Sequence, residues 1–401
     1  MTNRETRVST VAILQSKVSL DYIDLLRGLA IIGVLLVHLT QIGMYIVSLR
    51  QLLLHMEWLL LAGKHGVSLF FVVSAYTLMR SMYARIDVEH MPMCKYFLRR
   101  FFRIAPAYYV VLLIVFFVNG KGFLYYVNPD DPTLTWQDLA AHFSFINGFF
   151  PYFTNDFLGV EWSVSTEFMF YVTLPFIFLW LHKTSIKSHA IWKISSLYFV
   201  SVALLWGMLV RGQSIQHLIG KYPSEIFVSW SNFFILSHLH EFALGVGVWV
   251  LLHSAQHNKI IFTNRQTNGW KLVSVLLISI VLAYVEGYWV SSLYVKIWAL
   301  MIWGLLSAEL ICLLDALRPK AIWGMSFLGK ISFSLYLVHM PIGYELSHFE
   351  KLWNVTLIPE VNLLIYEMAA WSLSVLSAVL LHQGVERPGM RLGRMVVGRL
   401  A

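Results

Sequence analysis

In DLLRGLAIIGVLLVHL (24–39), Arg27 opens an apolar run and His38 lies deep inside it. At 100° per residue, the step between them amounts to three turns plus about 20°, so a helix places both on one face, about 16 Å apart. With Arg27 at one surface of a hydrocarbon layer about 30 Å thick, His38 falls near its middle. An ionisable group at that depth points to function. Imidazole titrates near neutrality and can give or take a proton there.

Other polar groups converge at similar depth. In EWSVSTEFMFY, Ser163, Glu167 and Tyr171 recur every four residues and share a helix face, with Glu167 about 9 Å from the opposite surface. That depth brings it within reach of His38. In ISFSLYLVHMP, Ser332, Tyr336 and His339 share a face. SHLHEFALGVG adds His238, His240 and Glu241, and a buried carboxylate needs a partner such as a nearby histidine. Interhelical hydrogen bonding that only fixes packing is the plainer explanation for His339 or Glu241 taken alone, but not for His38 and Glu167.

CKYFLRRFFRIAPAYY reads as a loop between the second and third membrane segments. Arg100 and Arg103 lie one turn apart if helical, with Phe101 and Phe102 turned towards lipid. Two guanidiniums so spaced suit phosphates at the membrane surface, and snorkelling at the interface is the alternative. Phe143, Phe145, Phe149, Phe150, Tyr152, Phe153 and Trp162 could stack on sugar rings or form an interfacial belt.

The elements that must hold these residues are membrane helices. The chain of 401 residues is 58% hydrophobic and only 13% charged. Apolar runs lie near 28–49, 66–82, 104–118, 161–182, 194–210, 231–252, 272–286, 295–314, 331–348 and 361–382. They predict an all-α bundle of about ten transmembrane helices. With a cytoplasmic N-terminus, every lysine and arginine except Arg50, Lys64, Lys121, Arg211, Lys221, Lys296 and Lys351 falls inside, so both termini are predicted cytoplasmic. Topology and anionic lipid explain the net charge of +8 without nucleic acid. Cys94 and Cys312 fall on different elements of the reducing side, which predicts neither a disulfide nor a metal cluster. The predicted organisation is a polar tail over 1–20, a membrane domain over 21–386 and a basic cytoplasmic tail over 387–401. The first helix reads as retained, not as a cleaved signal.

Five blocks, in order, resemble those of the type-3 acyltransferases, bacterial integral-membrane enzymes. DLLRGLAIIGVLLVH is similar to the opening block of arginine, ten residues and histidine. GVSLFFVVSAY resembles GVxLFFVLSGF, RRFFRIAPAYY resembles RxxRxxP, EWSVSTEFMFY resembles WSLSxExxFY, and SFSLYLVHMP resembles SxSLYLxHxP. A final ERP also fits. Ala75, Ser68 and Phe168 depart from the usual glycine, aspartate and second acidic residue.

The resemblance implies transfer of an acyl group, most often acetyl, from cytoplasmic acyl-coenzyme A (acetyl-CoA) to a hydroxyl of a cell-envelope carbohydrate or lipid-linked glycan such as lipopolysaccharide. The setting would be the bacterial inner membrane, with no metal. Arg27, Arg100 and Arg103 would hold the donor phosphates. His38 would act as base or acyl carrier, Glu167 would orient or charge-balance its ring or bind the sugar from outside, and Trp162, Ser163, Tyr171, Tyr336 and His339 would line the substrate path. A glycolipid transporter or flippase would also need buried charges and about ten helices, but predicts inverted repeats with broken helices, which the sequence lacks. A succinyl-type acyltransferase is the other alternative.

Overall fold

The computed structural model describes residues 21–46, 58, 62–119, 132–182, 189–219, 230–257, 265–289, 293–319, 322–356 and 358–400. The predicted tail 1–20 lies outside them. Helices and turns make up the described residues, with no strand among them.

Helix α1 (Asp21–Ile46) carries Arg27 and His38. It packs against α2 (Gly66–Tyr83), and α3 (Pro92–Asn119) carries Arg100 and Arg103. A shorter α4 (Pro132–Phe143) precedes α5 (Trp162–His182), the helix of Glu167. Then come α6 (His189–Ile219), α7 (Ile235–His257), α8 (Arg265–Tyr288) and α9 (Leu293–Leu317). The short α10 (Trp323–Lys330) leads into α11 (Ser332–Ser347), and α12 (Pro359–Leu381) is followed by α13 (Arg387–Gly398). Seven described helical stretches are long and apolar enough to cross a membrane. Each of the ten apolar runs overlaps a helix, although α2 and α11 have only 18 and 16 residues.

Helix α1 touches α2, α9, α10, α11 and α12. Between apolar helices in lipid, close approach supplies cohesion, and small residues permit it. A Cβ added at Gly66 would lie 2.3 Å from the backbone oxygen of Ala30 on α1. Gly66→Ala must therefore push α1 and α2 apart. We expect a loss of about 1–3 kcal/mol, read as a lower melting temperature and folded yield in detergent. A polar tie adds to this packing. Tyr22 on α1 donates to Asp315 Oδ1 at 2.8 Å and meets the Tyr76 hydroxyl of α2 at 3.0 Å.

The arginine-rich segment read as a loop is instead part of α3, with Pro106 inside the helix. Proline removes one backbone hydrogen bond, but a neighbouring helix supports the turn. That neighbour is α13, whose Gly389 would place a Cβ 2.8 Å from Pro106 Cγ. Phe102, expected to face lipid, packs against Gly393 of the same helix, while Phe101 is exposed. The basic segment after 386 is thus a helix docked on α3.

Candidate active site

Helix periodicity brings the polar faces into one cavity. Arg27 (α1), Ser74 and Thr77 (α2), Arg100 and Arg103 (α3), Ser163, Glu167 and Tyr171 (α5), and Ser332 and Tyr336 (α11) all line it. It encloses about 720 Å³, counting its open mouth. A second recess, lined by Asp21, Ile23 and Asp24, shares Arg27, Thr77, Arg100 and Arg103 with it. The three arginines therefore stand at the junction between the start of α1 and the interior.

Their charges are poorly balanced from within. Arg27 reaches Asp24 only at 3.9 Å, and Arg100 Nε is buried with no hydrogen-bond partner among the described residues. Glu167 is the one carboxylate among the residues lining the main cavity, and its Oε1 accepts a 2.5 Å hydrogen bond from Ser74 Oγ. Three guanidiniums facing one carboxylate make a receptor for an anion with several charges.

His38 is half-buried and makes a different contact from the one expected. Its Nδ1 lies 2.9 Å from Nε2 of His339, and the two rings stack with centroids 5.2 Å apart. His339 Nδ1 lies 2.8 Å from the carbonyl oxygen of Tyr336. A carbonyl only accepts, so His339 Nδ1 donates and, in its neutral form, its Nε2 is the acceptor. His38 must then donate from Nδ1, which leaves its Nε2 with the lone pair. One backbone carbonyl thus fixes the tautomers of both rings, and His38 Nε2 has the form a general base requires.

Glu167 is therefore bonded to Ser74, and His38 takes its orientation from His339. The spacing along each helix was readable from the sequence, but the partner that each side chain meets across the bundle was not. His38 and His339 do not line the cavity; Tyr336 connects the two groups, since it lines the cavity while its ring lies 5.6 Å from that of His339. The Tyr336 hydroxyl accepts from Ser163 at 2.8 Å and donates to the Val160 carbonyl at 3.1 Å. Trp162 lies outside the cavity lining, stacked on Phe233 at 4.7 Å and on His238 at 5.1 Å, so its ring holds helices together. His238 and Glu241 pair at 2.9 Å. Ser74, which sequence reasoning missed, lies on α2 three residues before Thr77, and both line the cavity.

A family model described as an acyltransferase domain matches residues 20–382. The chain is 25% identical to acyltransferase MdmB of Streptomyces mycarofaciens over 391 residues, covering 92% of this chain and 90% of that protein. It is also 24% identical over 320 residues to a putative acetyltransferase, ORF330, of Acidianus two-tailed virus, covering 79% and 81% of the two chains. No solved structure matches it. With nearly its whole length inside the family model, and with the arginine, histidine and glutamate blocks in place, the chain belongs to the type-3 acyltransferase family of membrane proteins.

Proposed function

We propose that the protein moves an acyl group, in the first place acetyl, from cytoplasmic acyl-coenzyme A to a hydroxyl of an envelope carbohydrate or lipid-linked glycan in the bacterial inner membrane. The observation that carries this reading is the trio Arg27, Arg100 and Arg103 lining the cavity, with the buried Arg100 Nε unpartnered among the described residues. Coenzyme A is polyanionic, and its phosphates suit that trio. The thioester then extends inward past Tyr336. His38 Nε2 removes the proton of the acceptor hydroxyl as its oxygen attacks the thioester carbonyl; the coenzyme A thiolate leaves and is protonated.

The test is incubation of purified protein with labelled acetyl-coenzyme A and an envelope glycan extract. Thiol release coupled to labelled glycan is the expected result. Label-free glycan with intact donor would exclude acetyl-coenzyme A as donor. Arg100→Ala and Arg103→Ala should each weaken donor binding by about 1.5–3 kcal/mol, as charge-assisted contacts do. Unchanged donor affinity in a direct binding assay would reduce both to interfacial snorkelling.

The proposed topology has about ten crossings with both termini cytoplasmic. Cys94 is exposed near the start of α3, on the proposed inner side. A thiol reagent unable to cross membranes should leave it unlabelled in intact cells and label it in inverted vesicles. The opposite pattern would invert the topology.

A further inference from the structure

Away from the cavity, the segment before α5 buries four ionisable side chains together. Asp138 and His142 come from α4, Asp156 from the following turns, and Glu161 immediately precedes α5. All four side chains are at least 96% removed from solvent.

Glu161 is accounted for by the backbone. Its Oε1 accepts the N–H of Phe157 at 2.7 Å, and its Oε2 accepts those of Leu158 and Val160 at 3.0 and 2.9 Å. The other three are not so satisfied. His142 Nδ1 lies 3.0 Å from the Asp138 carbonyl oxygen, to which it donates, and also 3.0 Å from Asp138 Oδ1. The lone pair of a neutral ring then sits on Nε2, which points at Asp156 Oδ1 and Glu161 Oε1, both 3.6 Å away. Lone pairs would there face lone pairs. His142 Nε2, Asp138 Oδ1 and Asp156 Oδ1 are all buried without a hydrogen-bond partner among the described residues.

A separation of 3.6 Å exceeds a hydrogen bond, yet two donors sharing a tetrahedral ion at about 2.1 Å stand about 3.4 Å apart. Donor atoms of Asp138, His142 and Asp156 all lie within 4.8 Å of one another. Histidine that donates Nδ1–H to a carbonyl and offers Nε2 is the usual arrangement of a metal-bound imidazole. We propose that Asp138, His142 and Asp156 hold a divalent first-row transition ion such as Zn²⁺ or Mn²⁺, with the Glu161 carboxylate in its outer layer.

Charge supports this assignment. Even with His142 protonated, three buried carboxylates leave two negative charges to be balanced. One imidazole with carboxylates suits a transition ion better than calcium, which takes oxygen ligands. The ion would staple α4 and the turns after it to the start of α5, next to Ser163. It runs against the metal-free expectation from the sequence, which considered the cysteines and not this quartet.

The full chain, purified without a polyhistidine tag and stripped with a chelator, is exposed to Zn²⁺ or Mn²⁺ and desalted. It should retain about one ion per chain by elemental mass spectrometry, and melt at a higher temperature with the ion bound. X-ray absorption of the loaded wild type should show nitrogen and oxygen donors. Retention below about 0.1 per chain for both ions overturns the proposal, and so does a sulfur donor, which would move the ion to Cys94 or Cys312. Asp156→Asn keeps the shape and should lower retention at least about fivefold while removing the ion's effect on melting. Wild-type retention in that folded variant also overturns it. If Asp156→Asn does not fold, Asp138→Asn is read by the same criteria, and the wild-type absorption spectrum decides by itself.

Discussion

His38→Ala is expected to lower the rate of acyl transfer by about 10²–10⁴-fold, the range lost when a positioned general base is removed. The loss should fall on turnover. Arg27, Arg100 and Arg103 line a cavity that His38 does not, so acyl-coenzyme A binding should stay close to wild type. Stability should fall modestly. His339 is fully buried, and removing its partner leaves Nε2 without a donor, which costs about 1–3 kcal/mol. Melting temperature, donor binding and turnover per folded molecule, measured on the same preparation, separate these effects. Near-normal turnover in a folded His38→Ala protein would remove His38 from the chemistry.

Glu167→Gln should reduce turnover by about 100-fold while acyl-coenzyme A binds as tightly as before or more tightly. Glutamine keeps the size of the side chain and can still accept from Ser74, so the fold should be little disturbed. What disappears is the one negative charge lining a cavity with three arginines. Without it, an anionic donor is held by an uncompensated cationic wall, and a carboxylate able to accept the hydroxyl of an incoming sugar is missing. Weaker donor binding with unchanged turnover would contradict this role. A fall in yield and melting temperature with activity per folded molecule intact would make Glu167 a packing residue.

The faces of individual helices were legible in the sequence. Spacings of four placed Ser163, Glu167 and Tyr171 on one wall, as they are, and the same arithmetic grouped Ser332 with Tyr336. The element types followed from apolar runs whose length matches a bilayer. Pairings between helices were not legible. His38 and His339 are 301 residues apart, and no local pattern encodes which ring meets which. Arg100 and Arg103 were correctly joined but set in a loop, because basic flanks and Pro106 both resemble a helix boundary. The support that keeps α3 continuous comes from α13, a contact made only in the folded bundle. The quartet around His142 escaped notice because Asp138, His142 and Asp156 lie between the predicted membrane runs while Glu161 heads one of them, and no local spacing shows that the four meet.

The continuity of α1 carries a further consequence. Arg27 and His38 belong to the same uninterrupted helix, so their separation is set by peptide geometry and not by how neighbouring helices lean or slide. On the proposed reaction, α1 is a ruler. The anchored phosphates mark its zero, and His38 marks the length at which a donor's reactive carbon must arrive, whatever the rest of the bundle does during a catalytic cycle. A donor with a shorter arm would be gripped but idle. One extra residue inserted between the two marks would turn His38 about 100° away from the face of Arg27 and uncouple the grip from the chemistry.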